Sequence, residues 1–278
     1  MNFFEKIIKA TIITMDKPSF LSAFHLSFLI VFLVATIGVS LWLYKKPNDK
    51  AVRIFTAAAW GIMLLFEIYK QINFAYNYNA ETNTITWDYN WQGFPFQLCS
   101  SPLYLFPFAA FLKDCKVRDA ILAYLCTFSF FGGLVVMIYP GTVFTTNALI
   151  NIQTMVHHGL QSLVGIVLTV SYRKKLTWKT FATGLIVFLG MLSIAQFLNW
   201  FVPDVIGTKD YFTMFSLSWK WGCELPILSI VYAKTPYIVF LLGYIVGFFI
   251  VAAIVFSIIK LVLFISAKRR EAKKAKNA

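Results

Sequence analysis

The sequence predicts an all-α, polytopic transmembrane helix bundle of about seven spans, with the amino terminus outside and the carboxyl terminus inside. Three observations carry that prediction. The 278 residues are 59% hydrophobic and only 13% charged, with a mean hydropathy of +0.71, which is more apolar surface than the polar residues would cover in water. Residues 21–44 and 236–259 contain no Asp, Glu, Lys or Arg, and at about 1.5 Å per residue each is long enough to cross a hydrocarbon core of about 30 Å. The Lys and Arg residues gather in alternate links, the pattern by which insertion retains basic loops in the cytoplasm.

Residues 1–20 form an amino-terminal segment, in which 1–15 reads as an outer interfacial helix with Ile7, Ile8, Ile12 and Ile13 toward lipid. A single membrane domain, 21–266, follows, with spans at 21–44, 54–74, 94–112, 120–139, 150–172, 181–201 and 236–266. The first span lies too far from the start, and is too long, to be a signal-peptide core. No small-residue cleavage site follows it, so the chain is expected to mature uncleaved. The basic links hold Lys45, Lys46, Lys50 and Arg53, then Lys113, Lys116 and Arg118, then Arg173, Lys174, Lys175 and Lys179. The tail, 267–278, carries Lys268, Arg269 and Arg270 and reads as a stop-transfer signal able to lie on anionic lipid. Seven spans put all of these on one face. The net charge of +13 is therefore a topology signal, and nucleic acid is not an expected partner. Two longer links, 75–93 and 202–235, are rich in aromatics and face outward; within the second, 211–232 could dip into the membrane. Heavy use of Ile, Phe, Lys and Asn suggests an AT-rich bacterial genome, and with it the bacterial plasma membrane.

Polar groups inside a bilayer are costly and need a partner or a job. Glu67, Lys70 and Gln71, then Cys99, His157 and His158, Gln196 and Asn199, and His25 all project to the outer half. Gln153, His157 and Gln161 recur every four residues and so form one stripe, expected to face the bundle interior. For a single Gln or Asn the plainer reading is helix-to-helix glue, and for Glu67 with Lys70 a buried ion pair. A thiol beside an imidazole can accept an acyl group as a thioester and pass it on. Cys99 is the candidate nucleophile and His157 or His158 its base, with Glu67 orienting the imidazole and Gln97 or Asn199 offering oxyanion donors. The alternatives for Cys99 are a packing residue or a disulfide with Cys223. Cys115 and Cys126 read as packing thiols. No CxxC or other metal-ligand spacing occurs. Adjacent histidines point about 100° apart on a helix, which disfavours a metal held by His157, His158, Glu67 and Cys99. No metal and no cofactor is expected. Gly132-Gly133 reads as close helix packing.

Phe94-Pro95-Phe96-Gln97-Leu98-Cys99 opening the third span, His157-His158-Gly159 on the fifth, and Asn199 followed by Gly207-Thr208 resemble the YwaF-type bacterial integral membrane proteins, whose distant animal relatives include a transmembrane phospholipid acyltransferase. The span pattern covers nearly the whole chain. One departure is Lys209-Asp210-Tyr211, where the family pattern has an Asn-Tyr pair. The resemblance implies a Cys and His pair of the acyl-transfer type, with Cys99 as nucleophile and His158 or His157 as base; beside that pair, Glu67, Gln97, Gln161 and Asn199 read as supporting or substrate-binding residues.

The leading expectation is an enzyme that moves an acyl chain from a phospholipid donor through a Cys99 thioester, with membrane lipids as its partners. The alternatives are a transporter or binding protein, with Glu67, Lys70, Gln153, His157 and Gln196 lining a polar path, and a non-catalytic assembly factor.

Overall fold

A computed structural model describes residues 3–45, 48–79, 81–209 and 211–276. Met1, Lys46, Asp210 and the last two tail residues, all drawn on above, lie outside the described residues. The helices are α1 (Phe3–Thr11), α2 (Ala23–Lys45), α3 (Asp49–Ala75), α4 (Ser101–Phe111), α5 (Lys116–Tyr124), α6 (Phe130–Ile138), α7 (Ala148–Ser171), α8 (Trp178–Phe201), α9 (Pro226–Tyr232) and α10 (Tyr237–Lys276). A helix therefore stands at each of the seven positions read from hydropathy. Among the described residues five are long and apolar enough to cross a membrane: Ala23–Leu43, Asp49–Ala75, Lys116–Ile138, Trp178–Ile206 and Tyr237–Arg269.

The other two differ for physical reasons. Residues 94–112 do not form one long helix. Pro95 holds Phe94 extended, a 3-10 turn spans Leu98–Ser100, and only then does α4 begin, with Pro102 in its first turn, where a missing N–H costs nothing. The helix α7 has the length, at 24 residues, but its polar stripe lowers its hydropathy. That stripe is buried at Gln153, Thr154, His157 and Gln161, because α7 packs against α2, α3 and α6.

Helices α5 and α6 are one continuous rod, joined by a π-turn at Leu125–Ser129. Its apolar window is 67% buried, against 11% for α2 and for α10, so this rod is the axis of the bundle and those two lie on its outside. Gly184 lets α8 approach it closely: a Cβ there would lie 3.0 Å from the backbone nitrogen of Tyr124. Thr177 and Thr180 start α8 with a reciprocal capping box. The basic residues of the tail do not end α10, since Ala, Lys, Arg and Glu continue a helix readily.

Two further expectations are corrected. Ile8 does not face lipid but is buried, because α1 packs on α3 and the strand-like segment after it pairs with the link before α7 (Met15 N–H to Thr146 O, 2.9 Å; Ala148 N–H to Ile13 O, 2.8 Å). Arg118, read as a loop charge, is fully buried. Its guanidinium donates to Ala109 O (2.9 Å), Asp114 Oδ1 (2.7 Å) and the Tyr172 hydroxyl (2.7 Å), which makes it the tie between the ends of α4, α5 and α7.

Both long links are folded. The first is an antiparallel hairpin of β1 (Tyr76–Asn79) and β2 (Thr84–Trp87), with Tyr76 opposite Trp87. In the second, β3 (Leu217–Ser218) pairs with β4 (Gly222–Cys223), and the preceding residues Phe212, Met214 and Phe215 are buried.

Candidate functional site

Cys99 lies on the 3-10 turn ahead of α4, so the break that shortens the third span also sets the thiol at a backbone turn. Its Sγ points at Gly132 O on α6, 3.7 Å away. A Cβ at Gly132 would be in ordinary contact, 3.6 Å from both Cys99 Sγ and Gln161 Nε2. The glycine leaves a small notch bordered by the thiol and that amide. Gly133 differs: a Cβ there would come within 2.7 Å of Ser162 Oγ and 3.0 Å of the Gln161 side chain, so α7 sits directly on it. The close packing expected of the glycine pair holds at Gly133, while Gly132 makes room beside the thiol.

His157 reaches the same turn from α7, but through the backbone: its Nε2 lies 2.9 Å from the carbonyl oxygen of Cys99. A carbonyl only accepts, so Nε2 carries the hydrogen and Nδ1 a lone pair. That Nδ1 is buried without a partner. The two nitrogens of an imidazole point away from each other, so Nδ1 faces away from that carbonyl. His158 Nδ1 is 2.7 Å from Thr154 O on its own helix, which leaves the Nε2 lone pair open. The two rings stand 5.3 Å apart, tilted by 59°. Among the described residues no thiol–imidazole hydrogen bond is formed.

The supporting residues divide. Gln161 donates from Nε2 to Ser129 O (2.7 Å) and Ser129 Oγ (3.3 Å), leaving Oε1 buried and unpartnered. Glu67 pairs with Lys70 (2.9 Å) and accepts from Gln71 (2.6 Å) rather than touching a histidine, and its Oε2 is a further buried atom without a partner. Gln97 and Asn199, considered as oxyanion donors, are spent on the second long link. Gln97 donates to Thr213 O (2.7 Å) and accepts from Ser216 N–H (2.9 Å). Asn199 donates to Leu217 O (2.5 Å) and accepts from Met214 N–H (2.6 Å). Together with Tyr244, which donates to Phe215 O at 2.7 Å, they hold Phe215 and Ser216 at positive φ (57° and 54°), a conformation costing about 1 kcal/mol or more that needs such overdetermination. Thr213 in turn donates to Glu224 (2.5 Å), whose carboxyl is pushed up by burial.

His25, grouped with these by depth, belongs elsewhere. Its Nε2 meets Met137 O at 2.8 Å while Nδ1 accepts from Leu21 N–H at 3.2 Å, a fully satisfied packing histidine. All four cysteines carry free thiols, so Cys99 and Cys223 form no disulfide. Ser129, Gly132 and Ser162 were not singled out by chemistry. Ser129, at the end of the π-turn, and Gly132 and Gly133 on α6 repeat at i, i+3 and i+4, a row of small residues that marks the face of the rod against α7.

Fold and site define a multi-pass helical membrane protein with His157 and Gln161 buried beside Cys99 inside the bundle. The chain belongs to the TMEM164 family, whose sequence profile it matches across residues 20–260. That range holds every residue of the polar layer. No curated protein and no solved structure matches the chain.

Proposed function

We propose that the protein is an acyl-transfer enzyme of the YwaF-type bacterial branch, sitting in the plasma membrane and taking its acyl chain from a phospholipid. The observation that carries the reading is the convergence of α4, α6 and α7 on Cys99. The thiol borders a methyl-sized notch at Gly132, its backbone carbonyl is anchored by His157, and buried polar atoms of His157 and Gln161 are left without partners alongside. Orientation follows the loop charges: seven spans, with α4 and α7 crossing in addition to the five longer helices, the amino terminus outside and the tail inside. On that orientation the Cys99 layer lies in the outer half, at the depth of lipid ester carbonyls.

The roles divide between the histidines. His157 is a positioning residue, since its Nε2–H holds the Cys99 turn and its Nδ1 faces away. His158 is the base. Its Nε2 takes the thiol proton as Cys99 swings about its Cα–Cβ bond, and Sγ bonds to the ester carbonyl carbon. The ester C–O bond breaks, and the glycerol oxygen leaves with the proton returned by the imidazolium. An acceptor hydroxyl then gives its proton to His158 and attacks the thioester, releasing the thiolate. Gln161 Nε2 lies across the notch and serves the developing oxyanion by exchanging its longer bond, to Ser129 Oγ, for one to the substrate.

Acyl exchange between labelled phospholipid and a lysophospholipid, followed in nanodiscs, tests the reading. Cys99→Ala is expected to abolish exchange and His158→Gln to slow it by about 100-fold. Exchange that persists at the wild-type rate in Cys99→Ala sinks it.

A further inference from the structure

The opposite end of α3 from Arg118 carries a cavity separate from the Cys99 site. It is open, about 590 Å³ in volume, and lined by Trp87, Asp88, Tyr89, Trp91, Phe94 and Thr208. Successive rings along its wall lie close together: Trp87 and Tyr89 stack at 6.4 Å, Tyr89 and Trp91 meet edge-on at 5.0 Å, and Trp91 and Phe94 stack at 6.3 Å. Asp88 brings a carboxylate among them. Its side chain accepts from Asn77 Nδ2 at 3.3 Å, and among the described residues no Lys or Arg pairs with it. The wall is fixed from inside the bundle. Tyr89 donates to Gln71 Oε1 (2.5 Å), and Gln71 Nε2 donates both to Glu67 and to Gly93 O (2.8 Å), which pins the 3-10 turn Trp91–Gly93. The polar pair Glu67 and Gln71 thus has work outside the Cys99 layer.

Aromatic faces are negative, and with a carboxylate they attract a cation that sheds its water cheaply. A hard metal ion needs six or more oxygen ligands, whereas Asp88, Thr208 and an already committed tyrosine hydroxyl supply few. An anion is repelled. We propose that this cavity binds an organic ammonium group, quaternary in preference to primary, carried either by a free choline-type solute or by a lipid headgroup. The inference does not depend on the acyl-transfer reading, since none of its residues takes part in that chemistry.

The test uses the full chain in phosphatidylglycerol nanodiscs, titrated with choline and with tetramethylammonium while tryptophan emission and heat are recorded. Saturable binding is expected, with the uncharged choline isostere 3,3-dimethylbutan-1-ol at least about tenfold weaker. Asp88→Asn, at an exposed position that keeps the fold, is expected to weaken choline by about tenfold, Asp88→Glu to restore it, and Trp91→Leu to abolish it. Replacing part of the lipid with phosphatidylcholine separates the sources: competition with choline assigns the site to a headgroup, and unchanged choline affinity assigns it to the free solute. The isostere binding as tightly as choline, an unchanged titration in Asp88→Asn, or no saturable binding in either disc would each overturn the proposal. Any of these leaves only an interfacial aromatic belt.

Discussion

Two polar clusters inside this bundle are built in opposite ways. Around Arg118 each of the three guanidinium nitrogens has a partner. Its guanidinium serves a backbone carbonyl, a carboxylate and a phenol, the Tyr172 hydroxyl passes on to Asp49 (2.5 Å), and Lys175 bridges Asp114 (2.9 Å) and Asp119 (3.2 Å). Around Cys99 the accounts stay open: His157 Nδ1, Gln161 Oε1 and Ser162 Oγ are buried without partners. Each such atom costs about 1–3 kcal/mol, and native folds keep few of them. A closed network locks helix ends together. An open one of this kind is a place where something else binds or reacts.

The sharpest way to break the comparison is at Arg118. Arg118→Met strips partners from Ala109 O, Asp114 and the Tyr172 phenol, and is expected to cost about 3 kcal/mol or more, read as a lowered thermal midpoint in detergent. If the variant melts like wild type, the closed cluster is no lock. Next comes the glycine pair. Gly133→Ala forces a Cβ against Ser162 and Gln161 and should cost about 1–3 kcal/mol. Gly132→Ala has room for its Cβ, so it should leave the melt nearly unchanged while slowing acyl exchange by filling the notch beside the thiol. Equal losses of stability in both would remove the distinction between a packed and an open glycine.

The smallest effects are in pH, and their signs differ between the two ends. The Lys175 ammonium, hydrogen bonded to Asp114, holds that exposed carboxyl below its usual 3.8. Its contribution is present above that value and fades as pH falls through the depressed one. Burial raises the Glu224 carboxyl above its usual 4.5. The folded chain there binds more protons than the unfolded one, so stability declines as pH rises from about 4.5 through the raised value. Melts across pH 3–7 should therefore lose their downward slope at the higher end in Glu224→Gln. A slope that survives the substitution assigns it to another group.

Much of this was legible in the residues. Apolar runs located the helices, and the four-residue spacing of Gln153, His157 and Gln161 marks one face, which is buried. What stayed hidden was set by long-range pairing. Nothing local in Phe94-Pro95-Phe96-Gln97 says that Gln97 would be consumed by Thr213 and Ser216, more than a hundred residues away. Arg118 looked like any loop cation, because only the meeting of α4, α5 and α7 buries it. Pro95 and Pro102 break the third span, whereas its uncharged apolar run reads as one continuous helix. The histidine pair was found as a pair, but its division of labour rests on two hydrogen bonds, one to another helix and one to its own, that spacing does not encode.

The central claim is that Cys99 carries the acyl group. Peptide mass spectrometry after incubation with phospholipid labelled in its acyl chain reads it directly. The account predicts a hydroxylamine-sensitive acyl mass on the Cys99 peptide of the wild type, absent in Cys99→Ala and slower to form in His158→Gln. A wild-type protein that turns over lipid with no acyl mass on Cys99, or a Cys99→Ala protein acylated to the same extent elsewhere, would contradict it.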